Sequence, residues 1–290
     1  MLKVKFAKTS GFCFGVNRSI KIVEKLLDDK KYVCTLGEII HNPVVLSSLE
    51  EKGVRVISEP SDVSGEEVLV VRSHGTFKNF LDYIKKNEIC YVDATCPFVK
   101  KIHSIVSKSN NKMDVLLAAG DENHPEMMGI VSYFTKKYYV FKNLEDLENI
   151  LKINPDIKNK RVIVVSQTTF SREKWVECTK FIKKALTNFE IFDTICSTTS
   201  VRQNEAKCLS QNSDAMVVLG GKHSSNTSKL YAICSENTES FLVENCHDLS
   251  NIDFSNKKCV GVISGASTPQ TIMDDVAEYF RRVYNAEILM

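Results

Sequence analysis

The chain has 290 residues, 43% hydrophobic and 26% charged, with a net charge of only +2. That is globular composition with room for more than one domain, and it carries no strong field of the kind that marks a nucleic-acid or membrane surface. The N-terminal MLKVKFAKTS lacks a signal-peptide core, and apolar runs such as 113–120 and 161–167 are far shorter than a membrane span, so the ten cysteines are expected to be reduced thiols of a cytoplasmic protein.

Taken in chain order, the elements repeat. The first cysteine stretch is SGFCFGVNRSIKIVEKLL (10–27), in which Val16, Ile20, Val23 and Leu27 fall on one helix face. A strand ending in glycine follows, YVCTLGEIIHNP (32–43), and Pro43 opens a helix. Next come VRVISEPSDV (54–63) and VLVVRSHGT (68–76), strand-sized runs that break into polar loops. The same grammar restarts at DATCPFVKKIHSIV (93–106), with Pro97 at the first helical position, and runs through MDVLLAAGDENHP (113–125), YYVFKNLEDL (138–147) and RVIVVSQTTF (161–170). It starts a third time at DTICSTTSVRQNEAKCL (193–209), whose helix signal is the weakest of the three. DAMVVLGGKHSSN (214–226), FLVENCHDL (241–249), VGVISGASTP (260–269) and a helix over 268–285 complete the chain.

The spacing supports a triplication. From cysteine to strand-end glycine the counts are 37 − 13 = 24, 120 − 96 = 24 and 220 − 196 = 24. A histidine follows in each loop (His41, His124, His223), and Asp62, Asp146 and Asp248 lie 49, 50 and 52 residues after their cysteines. Continuous apolar runs suit buried parallel strands. The expected architecture is therefore α/β, with three pseudo-symmetric units at 1–88, 89–188 and 189–290.

Ligands of such units gather at the carboxyl ends of the strands. If three copies surround a pseudo-threefold axis, Cys13, Cys96 and Cys196 meet there, each at a helix N-terminus that favours a thiolate. No two cysteines are spaced CxxC, which argues against a zinc ribbon. An iron–sulfur cubane held by three cysteines would leave one iron open, both a Lewis acid and an electron donor, which suits removal of a hydroxyl group. The other seven cysteines are read as small hydrophobes.

The same strand ends supply His41, His74, His124, Glu126, Thr168, Ser224, Ser225, Asn226 and Ser267. Histidines, hydroxyls and an amide at one helix entrance describe a phosphate or diphosphate pocket, without a Walker motif. In isolation, Ser and Asn before a helix are ordinary caps. Glu126 is the candidate proton donor, with Asp121 and Glu122 as competitors; His103 and His247 are read as structural and His223 stays undecided.

In GFCFGVNR, GEIIHNP, RSHGT, DATCPFV, GDENHPE, SQTT, DTIC, SSNT and SGAS the chain resembles the 4-hydroxy-3-methylbut-2-enyl diphosphate reductases, essentially end to end. The resemblance implies a trefoil of three α/β domains around a [4Fe–4S] cluster on Cys13, Cys96 and Cys196. It implies a diphosphate site at His41, His74, Ser224, Ser225, Asn226 and Ser267. His124 and Thr168 would lie near the substrate hydroxyl, and Glu126 would be the proton source. The implied reaction is a two-electron reductive dehydroxylation giving isopentenyl and dimethylallyl diphosphates, with a ferredoxin or flavodoxin as electron donor and neither nucleic acid nor membrane as partner. His223 departs from the family's usual asparagine before SSN. Two rivals stay open: a quinolinate synthase-like iron–sulfur dehydratase, which would need no external electrons, and a zinc- or thiol-based sensor.

Overall fold

The computed structural model describes residues 1–289. In chain order the elements begin with β1 (Lys3–Phe6), α1 (Phe14–Asp28), β2 (Val33–Leu36), α2 (Pro43–Glu51), β3 (Arg55–Ile57), β4 (Val68–Val71) and α3 (Lys78–Lys86). They continue with β5 (Tyr91–Asp93), α4 (Pro97–Ser109), β6 (Val115–Ala119), α5 (Pro125–Ser132), β7 (Lys137–Phe141), α6 (Leu144–Ile153), β8 (Val162–Ser166) and α7 (Arg172–Ala185). The last are β9 (Phe189–Ile191), α8 (Ser197–Ser210), β10 (Ala215–Leu219), α9 (Ser225–Ser235), β11 (Glu239–Val243), β12 (Cys259–Ser264), α10 (Gln270–Tyr284) and β13 (Glu287–Leu289).

The strands form three wholly parallel sheets of one design, with orders β3-β2-β4-β5, β7-β6-β8-β9 and β11-β10-β12-β1-β13. Continuous apolar runs make the central strands because both faces are covered. In β6, Val115, Leu117 and Ala119 enter one core while Leu116 and Ala118 enter another. In β10, Ala215, Val217 and Leu219 face one core and Met216 and Val218 the other.

The sheets do not coincide with the segments 1–88, 89–188 and 189–290. The strand leading to each cysteine completes the sheet of the preceding repeat: β5 pairs with β4, β9 with β8, and β1, cyclically, with β12. The reason lies in the backbone hydrogen bonds. Cys96 donates its N–H to the Ser73 carbonyl, Cys196 to Thr168 and Cys13 to Ala266, each at 3.0 Å. Every acceptor stands two residues beyond the end of β4, β8 or β12. By contacts the chain divides into two units: Arg18–Ile39 with Leu49–Cys196 holds the two four-stranded sheets, and Met1–Asn17, Ile40–Ser48 and the chain from Ser197 onward hold the five-stranded one.

The spacing of 24 has the same origin. Gly37, Gly120 and Gly220 each follow the second strand of a repeat and donate their N–H to the last carbonyl of the next strand, Ile57, Phe141 and Val243, at 2.7, 2.9 and 2.9 Å. Gly37 and Gly220 sit at φ +72° and +143°, where a side chain is strained. The aligned aspartates close turns, Asp62 accepting from the Glu59 N–H, Asp146 from Lys142 and Asp248 from Glu244. Among the described residues no helix is long and apolar enough to cross a membrane.

Candidate active site

In the larger unit, one chain of contacts runs from Cys96 to Cys196. The carbonyl of Ser73 takes the Cys96 N–H, and the next residue, His74, sets its ring edge-on to His124 at 5.5 Å between centroids. His124 is the N-cap of α5, and its Nδ1 accepts the Glu126 N–H at 3.1 Å. An accepting Nδ1 carries no proton, so the neutral ring keeps its hydrogen on Nε2. Glu126, only 2% exposed, accepts the Thr168 N–H on Oε1 at 2.6 Å and the Thr168 hydroxyl on Oε2 at 2.7 Å. The carbonyl of Thr168 then takes the Cys196 N–H. Asp121 and Glu122, which compete with Glu126 on sequence grounds, are both exposed, and Asp121 pairs with Lys142.

The RSHGT loop that carries His74 is braced from below. Gly75 adopts φ +79°, and a Cβ there would lie 2.6 Å from His103 Cε1. His103 is buried and stacks on Tyr133 at 4.2 Å, a structural residue, as its place within a helix pattern implies.

In the smaller unit, Ser267, six percent exposed, donates its hydroxyl to the His41 carbonyl at 3.1 Å. Gly221 packs against the same carbonyl, where a Cβ would lie at 2.8 Å. The entrance of α9 is therefore held beside His41 and Ser267. Ser224 is the N-cap, its oxygen accepting the Thr227 N–H at 3.4 Å, so it also acts as the ordinary cap that its position before a helix suggests. Ser225 is half-buried and Asn226 is buried. Counted from the strand-end glycine, Ser224 takes the place of His41 and His124, four residues on; His223 is exposed.

All three predicted ligand cysteines stand directly before helices, α1, α4 and α8, with no acidic residue in the first turn. They are half-buried. The Val16 N–H donates to Cys13 Sγ at 3.5 Å. Three thiols at helix N-termini, anchored by the same backbone bond, fit the donor set of a cluster ligated by thiolates. Cys34, Cys178 and Cys234 are buried in the cores, and burial pushes their thiols up to about 12, 11 and 12.

These observations meet a match on the level of the whole chain. The family model described as LytB protein matches residues 4–281. The chain belongs to the LytB protein family. Among its relatives in the family, a 4-hydroxy-3-methylbut-2-enyl diphosphate reductase of Clostridioides difficile is 36% identical over 283 residues, 97% of this chain and 100% of the relative. The protein of that name from Campylobacter hominis is 39% identical over 280 residues, 96% of this chain and 98% of its own. A solved structure of (E)-4-hydroxy-3-methyl-but-2-enyl diphosphate reductase, described as the terminal enzyme of the non-mevalonate pathway, is similar with a TM-score of 0.68 at 33% identity, covering 98% of this chain and 100% of that one. The E-1-hydroxy-2-methyl-but-2-enyl-4-diphosphate reductase from Plasmodium falciparum is similar with a TM-score of 0.91 at 27% identity, covering 99% and 91%.

Sequence reasoning misses the side chains that fix the cysteine loops. Arg18 in α1 donates to the carbonyls of Asp93, Ala94 and Thr95, just before Cys96. Arg202, 2% exposed in α8, donates to the carbonyls of Ser264 at 2.8 Å and Gly11 at 2.6 Å, just before Cys13. Glu205, one turn on, accepts from the N–H groups of Lys8 and Thr9. The signal was the weak apolar periodicity of α8 itself, whose buried face includes Arg202 and Gln203.

Proposed function

We propose that the chain is a 4-hydroxy-3-methylbut-2-enyl diphosphate reductase, an oxidoreductase of isoprenoid biosynthesis. It would replace the substrate's allylic hydroxyl by hydrogen, giving isopentenyl and dimethylallyl diphosphates; two electrons and two protons enter, a C–H bond forms, the C–O bond breaks and water leaves. The observation that carries this reading is Glu126: a carboxyl 2% exposed, gripped on both oxygens by Thr168, whose carbonyl anchors Cys196.

Cys13, Cys96 and Cys196 would hold a [4Fe–4S] cluster, which when bound supplies single electrons and a Lewis-acid iron. Around it the chain's own groups bind and deliver protons. Glu126 holds the proton that leaves with the hydroxyl, and the Thr168 hydroxyl keeps its carboxyl in one orientation. His124, with its proton fixed on Nε2, offers a donor from the same helix entrance. His41, His74, Ser224, Ser225, Asn226 and Ser267 anchor the diphosphate, binding energy remote from the reacting carbon that fixes its position. Ferredoxin or flavodoxin delivers the electrons in the cytoplasm.

The test is an anaerobic assay of the purified protein with the hydroxylated diphosphate and a reduced one-electron donor. Turnover that stops without reductant supports the reading. A colourless, zinc-loaded protein, or turnover independent of reductant, refutes it.

A further inference from the structure

A diphosphate carries several negative charges, yet Ser224, Ser225 and Asn226 are all neutral. Repeat equivalence locates a cation for them. α5 and α9 occupy the same place in their sheets, each following the second strand of its repeat. Their first turns differ in charge. The second residue is Glu126 in α5 and Asn226 in α9; the fifth is Gly129 in α5 and Lys229 in α9. One entrance carries an acid, and the other carries none but has a lysine within reach.

Lys229 reaches backwards. Its Nζ donates to the Ser225 hydroxyl oxygen at 3.0 Å, at the first residue of α9. The ammonium therefore lies by the N-terminal turn of α9, where an anion bound at that entrance would meet it. A second observation points to that anion. Asn226 is 5% exposed, and its Nδ2 is buried with no hydrogen-bond partner among the described residues. A buried amide donor left this way costs free energy unless a ligand accepts from it.

We infer that Lys229 is the charge-compensating and positioning residue for the substrate's diphosphate. It acts through Ser225: the ammonium can only donate, so the Ser225 oxygen accepts, and that bond polarises the hydroxyl as a donor to phosphate. The division of labour between repeats follows, with proton delivery at α5 and anion capture at α9. The inference rests on the reductase reading of the site.

The test uses the cluster-loaded protein and its K229Q and K229R variants, with inorganic diphosphate as competing ligand. Lys229→Gln raises KM for the hydroxylated diphosphate and the inhibition constant of inorganic diphosphate together by about tenfold, equivalent to about 1.4 kcal/mol. Its kcat and iron content stay at the wild-type level, and Lys229→Arg restores both constants to within about threefold, the guanidinium also being a pure donor. Unchanged constants in K229Q overturn the inference, and so does a loss of kcat or iron with KM and the inhibition constant unmoved. A wild type that neither turns over nor responds to inorganic diphosphate overturns the reductase reading, and this assignment with it.

Discussion

Glu126→Gln separates chemistry from structure at the centre of the site. The glutamine oxygen still accepts the Thr168 N–H, now 2.6 Å from Glu126 Oε1, and its amide nitrogen faces the Thr168 hydroxyl, 2.7 Å from Oε2. That hydroxyl rotates to accept, so both contacts survive. The structural cost is about 1 kcal/mol, a shift of roughly 2–4 °C in melting temperature for a chain of this size class. The proton, however, is gone. A positioned general acid contributes about 10²–10⁴-fold, or roughly 3–5 kcal/mol of barrier, so kcat falls by that factor. The assay is anaerobic steady-state turnover with reduced donor, alongside iron content and a melting curve. A kcat within threefold of wild type at full iron content would refute the role of Glu126, and loss of iron in step with activity would make the residue structural.

Other consequences are equally concrete. Cys96→Ser should prevent stable iron binding, whereas Cys208→Ser, on the exposed side of α8, should leave the iron content unchanged; equal iron in the two variants rejects the ligand assignment. Arg202→Met leaves the Ser264 and Gly11 carbonyls without their donor, at a cost of about 3 kcal/mol or more, and lowers the melting temperature accordingly; an unchanged melt contradicts the bracing role. Burial lowers the His103 imidazole from 6.5 to about 4. A depressed folded value means that its contribution is complete above pH 6.5 and is lost as pH falls toward 4, because the unfolded chain takes up the proton first. That window holds about 3 kcal/mol. Denaturant titrations between pH 4 and 7 should display the slope, and His103→Gln should flatten it; an identical slope in the variant excludes His103 as its source.

Much of this was legible in the sequence because the repeat is written in residues with geometric duties. Gly37, Gly120 and Gly220 close the same backbone bond three times, so their spacing survives as a count. Pro43, Pro97 and Pro125 open α2, α4 and α5 where fixed φ is an advantage. The four-residue offset of His41, His124 and Ser224 was hidden by the adjacent His223, a histidine with the right identity one place too early. Sheet membership was hidden for another reason. β1, β5 and β9 are three or four residues long, and nothing within KVKF, YVD or FEI says which open edge will take them. The structure supplies the answer in the ladder itself and in the bond from the following cysteine to the residue two places beyond the neighbouring strand. Arg202 escaped because a polar residue on a helix reads as solvated, while here it is spent on carbonyls of an irregular loop.

The cyclic hand-over of β1 has a consequence for the order of biosynthesis. The loop before Cys13 is closed by Gly11 N–H on Ser264 Oγ, residues 253 apart in sequence. The loops at Cys96 and Cys196 close on Ser73 and Thr168, which the ribosome has already made. At about 5–20 residues per second, Cys13 waits roughly 10–50 s for its partners to emerge. Two thiols are thus seated while synthesis continues, and the first one translated is the last to be fixed. A cluster held by all three cysteines would accordingly be completed only after translation, with the earliest cysteine as the final checkpoint.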